Sequence, residues 1–167
     1  LKKSSEGGNM NASYLLGLMY ENGEGLERDF NKAKKCYEKS AEQGNSHGYN
    51  RIGFCYKNGL GIESDYPKAF KYYKKASDMG NKLSINNLGI CYEQGDGVKQ
   101  DYSKVVECYK KASELGNSGG SYNLADCYEQ GVGVKKDLSK AIEYYQKAAD
   151  LGNENARGKI EQLRNEM

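Results

Sequence analysis

The side chains best suited to chemistry are few in this chain of 167 residues. His47 is the only histidine and has no partner at catalytic or metal-ligand spacing, so it reads as a surface contact residue and not as a base. Five cysteines occur, at Cys36, Cys55, Cys91, Cys108 and Cys127. Their odd number and the lack of a Cys-x-x-Cys pair argue against a metal site or a dense disulfide framework. The Gly-x-Gly pairs lack the third glycine and the preceding strand of a dinucleotide fingerprint. Asn11-Ala12-Ser13 matches a glycosylation sequon but falls inside a helix. Hydrolase chemistry lacks a nucleophile–base pair. No catalytic residue, metal site or cofactor is assigned. What remains is recognition by amides, carboxylates and aromatic rings.

The elements that must position those groups repeat. Gly44-Asn45, Gly80-Asn81, Gly116-Asn117 and Gly152-Asn153 stand 36 residues apart, and Gly8-Asn9 precedes the first by the same step. Asp29, Asp65, Asp101 and Asp137 keep this period, as do Tyr37, Tyr73, Tyr109 and Tyr145. Such internal recurrence marks an array of supersecondary units. Four units run 9–44, 45–80, 81–116 and 117–152. Within a unit, Asn45 is placed to cap a first helix whose packing face carries Ile52, Cys55 and Tyr56. Gly59-x-Gly61 ends that helix, Asp65 caps a second, and Pro67 sits in its first turn. The second helix aligns Ala69, Tyr72, Tyr73 and Ala76. A two-helix hairpin cannot bury its stripe alone, whereas stacked neighbours can, so the fold class is an all-α solenoid. Residues 1–8 align with the tail of a second helix, predicting the end of a truncated upstream repeat. At the other end, residues 153–167 keep Ala156, Ile160 and Leu163 but carry Glu161 and Arg164, which predicts a polar capping helix.

The third unit, with Leu88-Gly89-Ile90-Cys91-Tyr92-Glu93-Gln94-Gly95-Asp96-Gly97-Val98, then Asp101, then Tyr109-Lys110-Lys111-Ala112 before Gly116, closely resembles the Sel1-like repeat family, a relative of the tetratricopeptide repeats. The resemblance extends over residues 9–160. It implies a right-handed α/α superhelix that serves as an adaptor in protein complexes, with first helices lining the concave wall. The departures are mild. Ala125 stands where Gly17, Gly53 and Gly89 stand elsewhere, which predicts a slightly wider crossing, and Val105 replaces the usual alanine.

Projected at 100° per residue, the arc opposite the packing face of the second unit holds His47, Asn50, Phe54 and Lys57, with Asn58 at its margin. Its equivalents are Tyr14, Leu18 and Glu21 in the first unit, Asn86, Ile90, Glu93 and Gln94 in the third, and Tyr122, Asp126 and Glu129 in the fourth. These positions vary between units while the packing positions recur, as expected of a binding wall on a fixed scaffold. Leu18, Phe54 and Ile90 form an apolar strip, and the neighbouring amides suit the backbone of a peptide or partner helix. Lys32, Lys68, Lys104 and Lys140 form a second-helix stripe, read as a solvated face paired with acids three or four residues away.

Composition fits this reading. A net charge of +2 gives no case for nucleic acid, and no apolar run of membrane-spanning length occurs. The cysteines occupy core slots, which points to a reducing compartment and hence the cytoplasm, with a Cys91–Cys108 bridge left open. The expected function is a non-catalytic scaffold for a protein or peptide ligand, self-association remaining open. The competing expectation is a regulatory array of a larger enzyme or signalling protein whose catalytic part precedes Leu1.

Overall fold

The computed structural model describes residues 2–166, with side chains described for 11–165. Nine α-helices and no strand occur among them. In order they are α1 (Lys2–Asn22), α2 (Phe30–Glu42), α3 (Ser46–Asn58), α4 (Tyr66–Asp78), α5 (Lys82–Gln94), α6 (Tyr102–Glu114), α7 (Ser118–Gln130), α8 (Leu138–Asp150) and α9 (Glu154–Glu166). They form two compact units, Leu1–Ser84 and Ile85–Met167. In the first, α1 packs on α2, α2 on α3 and α3 on α4. In the second, α6 packs on α7, α7 on α8 and α8 on α9.

The helix ends follow local chemistry. Asp29, Asp65, Asp101 and Asp137 each accept the backbone N–H three residues on, at Lys32, Lys68, Lys104 and Lys140. This satisfies one orphan donor of each second helix. Asn45, Asn81 and Asn117 do the same for first helices, accepting from His47, Ser84 and Gly120. The chain leaves α3 through Gly59 at φ 67°, a left-handed conformation that costs glycine nothing.

Second-helix tyrosines form the core. Tyr37, Tyr73, Tyr109 and Tyr145 are essentially inaccessible, each ring contributing about 2–3 kcal/mol of burial before entropy. A β-carbon built at Gly53 would lie 2.8 Å from the Tyr73 ring, so the missing side chain is what lets the two helices of that repeat close on the tyrosine. At the fourth repeat Ala125 takes this position and is itself fully buried in the cluster with Tyr145.

One expected boundary is absent. The chain does not turn at Gly8; α1 runs unbroken from Lys2 to Asn22. At the other boundaries the asparagine N–H returns to a second-helix carbonyl, at Ser40, Ala76, Ala112 and Ala148, and glycine alone does not impose that turn. The C-terminal face is as expected, with Ala156, Ile160 and Leu163 buried in the cluster with Ala148 and Tyr145.

Candidate protein-interaction surface

In the first unit α1 and α3 present the residues assigned to the wall. Phe54 is half-exposed, with the Arg51 guanidinium carbon 5.0 Å from its ring centroid. Leu18 is half-buried against the cluster of Ala33, Tyr37, Ile52 and Cys55. Tyr14 lies 5.9 Å from the Tyr37 ring and 5.7 Å from His47. The exposed His47 has its Nδ1 3.3 Å from the Asn81 amide. Asn58 is exposed but turned inward, donating to the Phe54 carbonyl at 2.8 Å. Lys57 is half-buried.

Asn50 corrects the expectation for the open arc. It is 6% exposed, and its Oδ1 accepts the Ser84 hydroxyl at 2.8 Å. A first helix projected alone shows position 50 facing outward, but the following first helix comes close enough to seal a short side chain there. Tyr14 contacts His47 at the same seam, and in the second unit Asn86 accepts the Asn123 amide at 3.0 Å. This row therefore joins neighbouring first helices as well as bordering the wall.

The wall carboxylates are a second correction, because each already accepts a hydroxyl from the second helix of its own repeat. Glu21 accepts the Tyr37 hydroxyl at 2.5 Å and pairs with Arg51. Glu93 accepts the Tyr109 hydroxyl at 2.8 Å. Glu129 and Asp126 both accept from the Tyr145 hydroxyl, and Lys159 bonds Glu129 at 3.0 Å. A phenol has one proton to give, so the last two acids compete for it. Burial pushes Tyr37, Tyr109 and Tyr145 well above the usual phenol range, reinforced by their carboxylate partners, and the hydroxyls stay donors. Burial likewise raises Asp126. For Glu129, burial is outweighed by the Tyr145 hydroxyl and Lys159, and its carboxyl lies below the ordinary value. Residues missed in the sequence are thus Arg51, Asn123 and Lys159, together with the tyrosine hydroxyls. A signal existed: Glu21–Tyr37, Glu93–Tyr109 and Glu129–Tyr145 share a sixteen-residue step, which Lys57–Tyr73 alone breaks.

The remaining wall positions of the second unit are Ile90, half-buried against Val105, Tyr109, Leu124 and Cys127, and the exposed Gln94. Tyr122 packs edge-on to Tyr145 at 5.2 Å. The lysine stripe is paired, each lysine with its own capping aspartate. Nζ–Oδ2 distances are 3.3, 2.8, 3.7 and 3.9 Å for Lys32, Lys68, Lys104 and Lys140. Each of these ammonium groups also lies over a first-helix tyrosine, Tyr20, Tyr56, Tyr92 or Tyr128, at 5.1–5.5 Å. All five cysteines are free, so Cys91 and Cys108 are not bridged. Among the described residues no group of three or more His, Cys, Asp or Glu side chains is placed to hold a metal, and no helix is long and apolar enough to cross a membrane.

Comparison with known proteins gives a consistent result. The Sel1 repeat family matches residues 11–45, 46–81, 83–117 and 119–153. A Sel1 repeat protein from Oxalobacter formigenes superimposes with a TM-score of 0.86 at 32% identity, over 95% of this chain and 63% of that one. The protective antigen c5321 of uropathogenic Escherichia coli, with an SLR fold, gives 0.79 at 33% identity, over 95% of this chain and 34% of its own. Helicobacter pylori cysteine rich protein B gives 0.63 at 30%, over 78% of this chain and 94% of its own. The chain therefore spans less than two thirds of the first two structures. The search of curated proteins returned no significant match.

Proposed function

This chain belongs to the Sel1 repeat family, whose members are generally non-catalytic protein-interaction scaffolds, and on that premise we propose that its first-helix faces bind a peptide or partner helix. The observation that carries the reading is the contrast within one 36-residue register. The tyrosines behind the wall are invariant and buried, whereas Leu18, Phe54 and Ile90 in front of them differ in type and are all half-exposed. Leu18 and Ile90 pack partly on the cores beneath them, and the apolar surface that they and Phe54 leave in water supports the reading. In the first unit Tyr14, Leu18 and Phe54 supply contact area. In the second, Asn86, Ile90 and Tyr122 do so. The acids and their tyrosines stiffen this face, so that a ligand meets a preorganised surface.

The test is recovery of partner proteins on the immobilised chain, comparing the parent with Phe54→Ala, Ile90→Ala and the outer-helix control Lys74→Ala. Both wall variants should lose recovery while Lys74→Ala keeps it. Unchanged recovery with both wall variants rejects the assignment.

A further inference from the structure

Three first helices carry a glutamate at one register, and each accepts a tyrosine hydroxyl from the second helix of its own repeat. Two of the three also hold a cation supplied thirty residues later by the next first helix. Arg51 pairs with Glu21 and lies 5.7 Å from the Tyr37 ring centroid. Lys159 bonds Glu129 and lies 5.9 Å from the Tyr145 ring. The same step from Glu93 reaches Asn123, whose shorter amide turns to Asn86 at 3.0 Å. Among the described residues no cation pairs with Glu93, which is half-buried beside Ile90 and keeps only the Tyr109 hydroxyl on its carboxylate.

The carboxylate and tyrosine of a cation site are thus present in the third repeat without the cation. We infer that Glu93 anchors a lysine or arginine side chain of a bound peptide, which takes the place that Arg51 and Lys159 occupy in the neighbouring copies. Charge on the second unit's wall favours the same occupant: Lys159 pairs with Asp126 and Glu129, whereas among the described residues the Glu93 carboxylate meets only the Tyr109 hydroxyl. In the first unit Glu21 is neutralised by Arg51, and Lys57 stands where Glu93 stands in the third repeat. The ligand class is a peptide with a basic side chain next to apolar ones, the basic group meeting Glu93 and the apolar ones Ile90 and Tyr122. This rests on the groove reading above and narrows it.

Four capped pentapeptides of leucine and alanine, differing only in a central arginine, lysine, glutamine or glutamate, test the inference by titration of the full chain, with amide shifts in α5 and α7 as the readout. Arginine and lysine peptides should bind about tenfold tighter than the glutamine peptide, the scale of one charge-assisted contact. That preference should vanish in Glu93→Gln. It should also vanish in Asn123→Arg, which installs the missing internal cation while leaving the carboxylate in place. Binding without charge preference, or a preference that survives Glu93→Gln, overturns the anchor but leaves the groove standing. Absence of binding by all four peptides overturns both.

Discussion

Replacing Glu21 and Glu93 by glutamine should separate two carboxylates that the repeat makes equivalent. Glu21 takes the Tyr37 hydroxyl at 2.5 Å on one oxygen and the Arg51 guanidinium on the other, with only 12% of its side chain and 22% of that of Arg51 exposed. Glutamine keeps an acceptor for one of these donors and turns an NH2 toward the second. A hydrogen bond to a charged group is worth about 1.5–3 kcal/mol against about 1 kcal/mol for a neutral one. Breaking a fully buried ion pair costs about 3–5 kcal/mol. Discounted for the residual exposure, Glu21→Gln should cost about 2–3 kcal/mol. Glu93 has one tyrosine bond and, among the described residues, no paired cation, and a glutamine there accepts that bond with its NH2 free to reach water, so Glu93→Gln should cost about 0.5–1 kcal/mol. Urea unfolding followed by far-ultraviolet circular dichroism, with slopes unchanged between variants, reads the difference. Tm should fall by about 2–4 °C for each kcal/mol in a chain of this size. Arg51→Met should also cost less in the Glu21→Gln background than alone. Equal losses for the two glutamine variants, or additive losses for Glu21 and Arg51, would refute the assigned pairing.

The competition for the Tyr145 proton gives a pair of opposite pH effects. Asp126 has a folded pKa above its ordinary 3.8, so its contribution is favourable below that value and is lost as pH rises through the folded one. Asp126→Asn should therefore stabilise the chain at pH 7 by up to about 1 kcal/mol, the scale of a partly exposed charge contact, with no gain once the medium is acidified below 3.8. Glu129 lies below its ordinary 4.5, so its stabilisation is present above 4.5 and lost as pH falls through the folded value. Glu129→Gln should destabilise at pH 7 and approach the parent in acid; unfolding midpoints at the two pH values with the same sign for both variants would contradict this. For the thiols, burial pushes Cys55 and Cys108 from 9.0 up to about 11 and Cys127 to about 12. At pH 8 they should carry about a hundredfold less thiolate than an ordinary cysteine, and Cys127 about a thousandfold less. Labelling with dithiobis(nitrobenzoate) should be slow in the native chain and fast in denaturant; fast native labelling of Cys127 would contradict the buried assignment.

The repeat period, the helix order and the helix ends could be read from the residues alone because each is set by local chemistry. Asp65 and Asn45 meet N–H groups two or three residues away, and Gly59 answers a backbone requirement of its own position. The buried tyrosines were legible for a related reason: a period of 36 and a helical stripe together leave few places for a large side chain to go. At the N-terminus the same pair of residue types does not end a helix, since α1 runs through Gly8-Asn9 without a break.

What the tertiary structure alone decided is which wall residues remain available. A helix projected singly places Asn50 and Phe54 on one outward arc, yet the close approach of the Ser84 segment closes over the first and leaves the second half-exposed. Likewise Glu21, Glu93 and Glu129 are alike in sequence register, and their states differ through side chains thirty residues away, where arginine, asparagine and lysine stand in turn, and at Glu129 through Asp126 as well. Exposure and charge pairing depend on the distance between helices, which no periodicity within one helix contains.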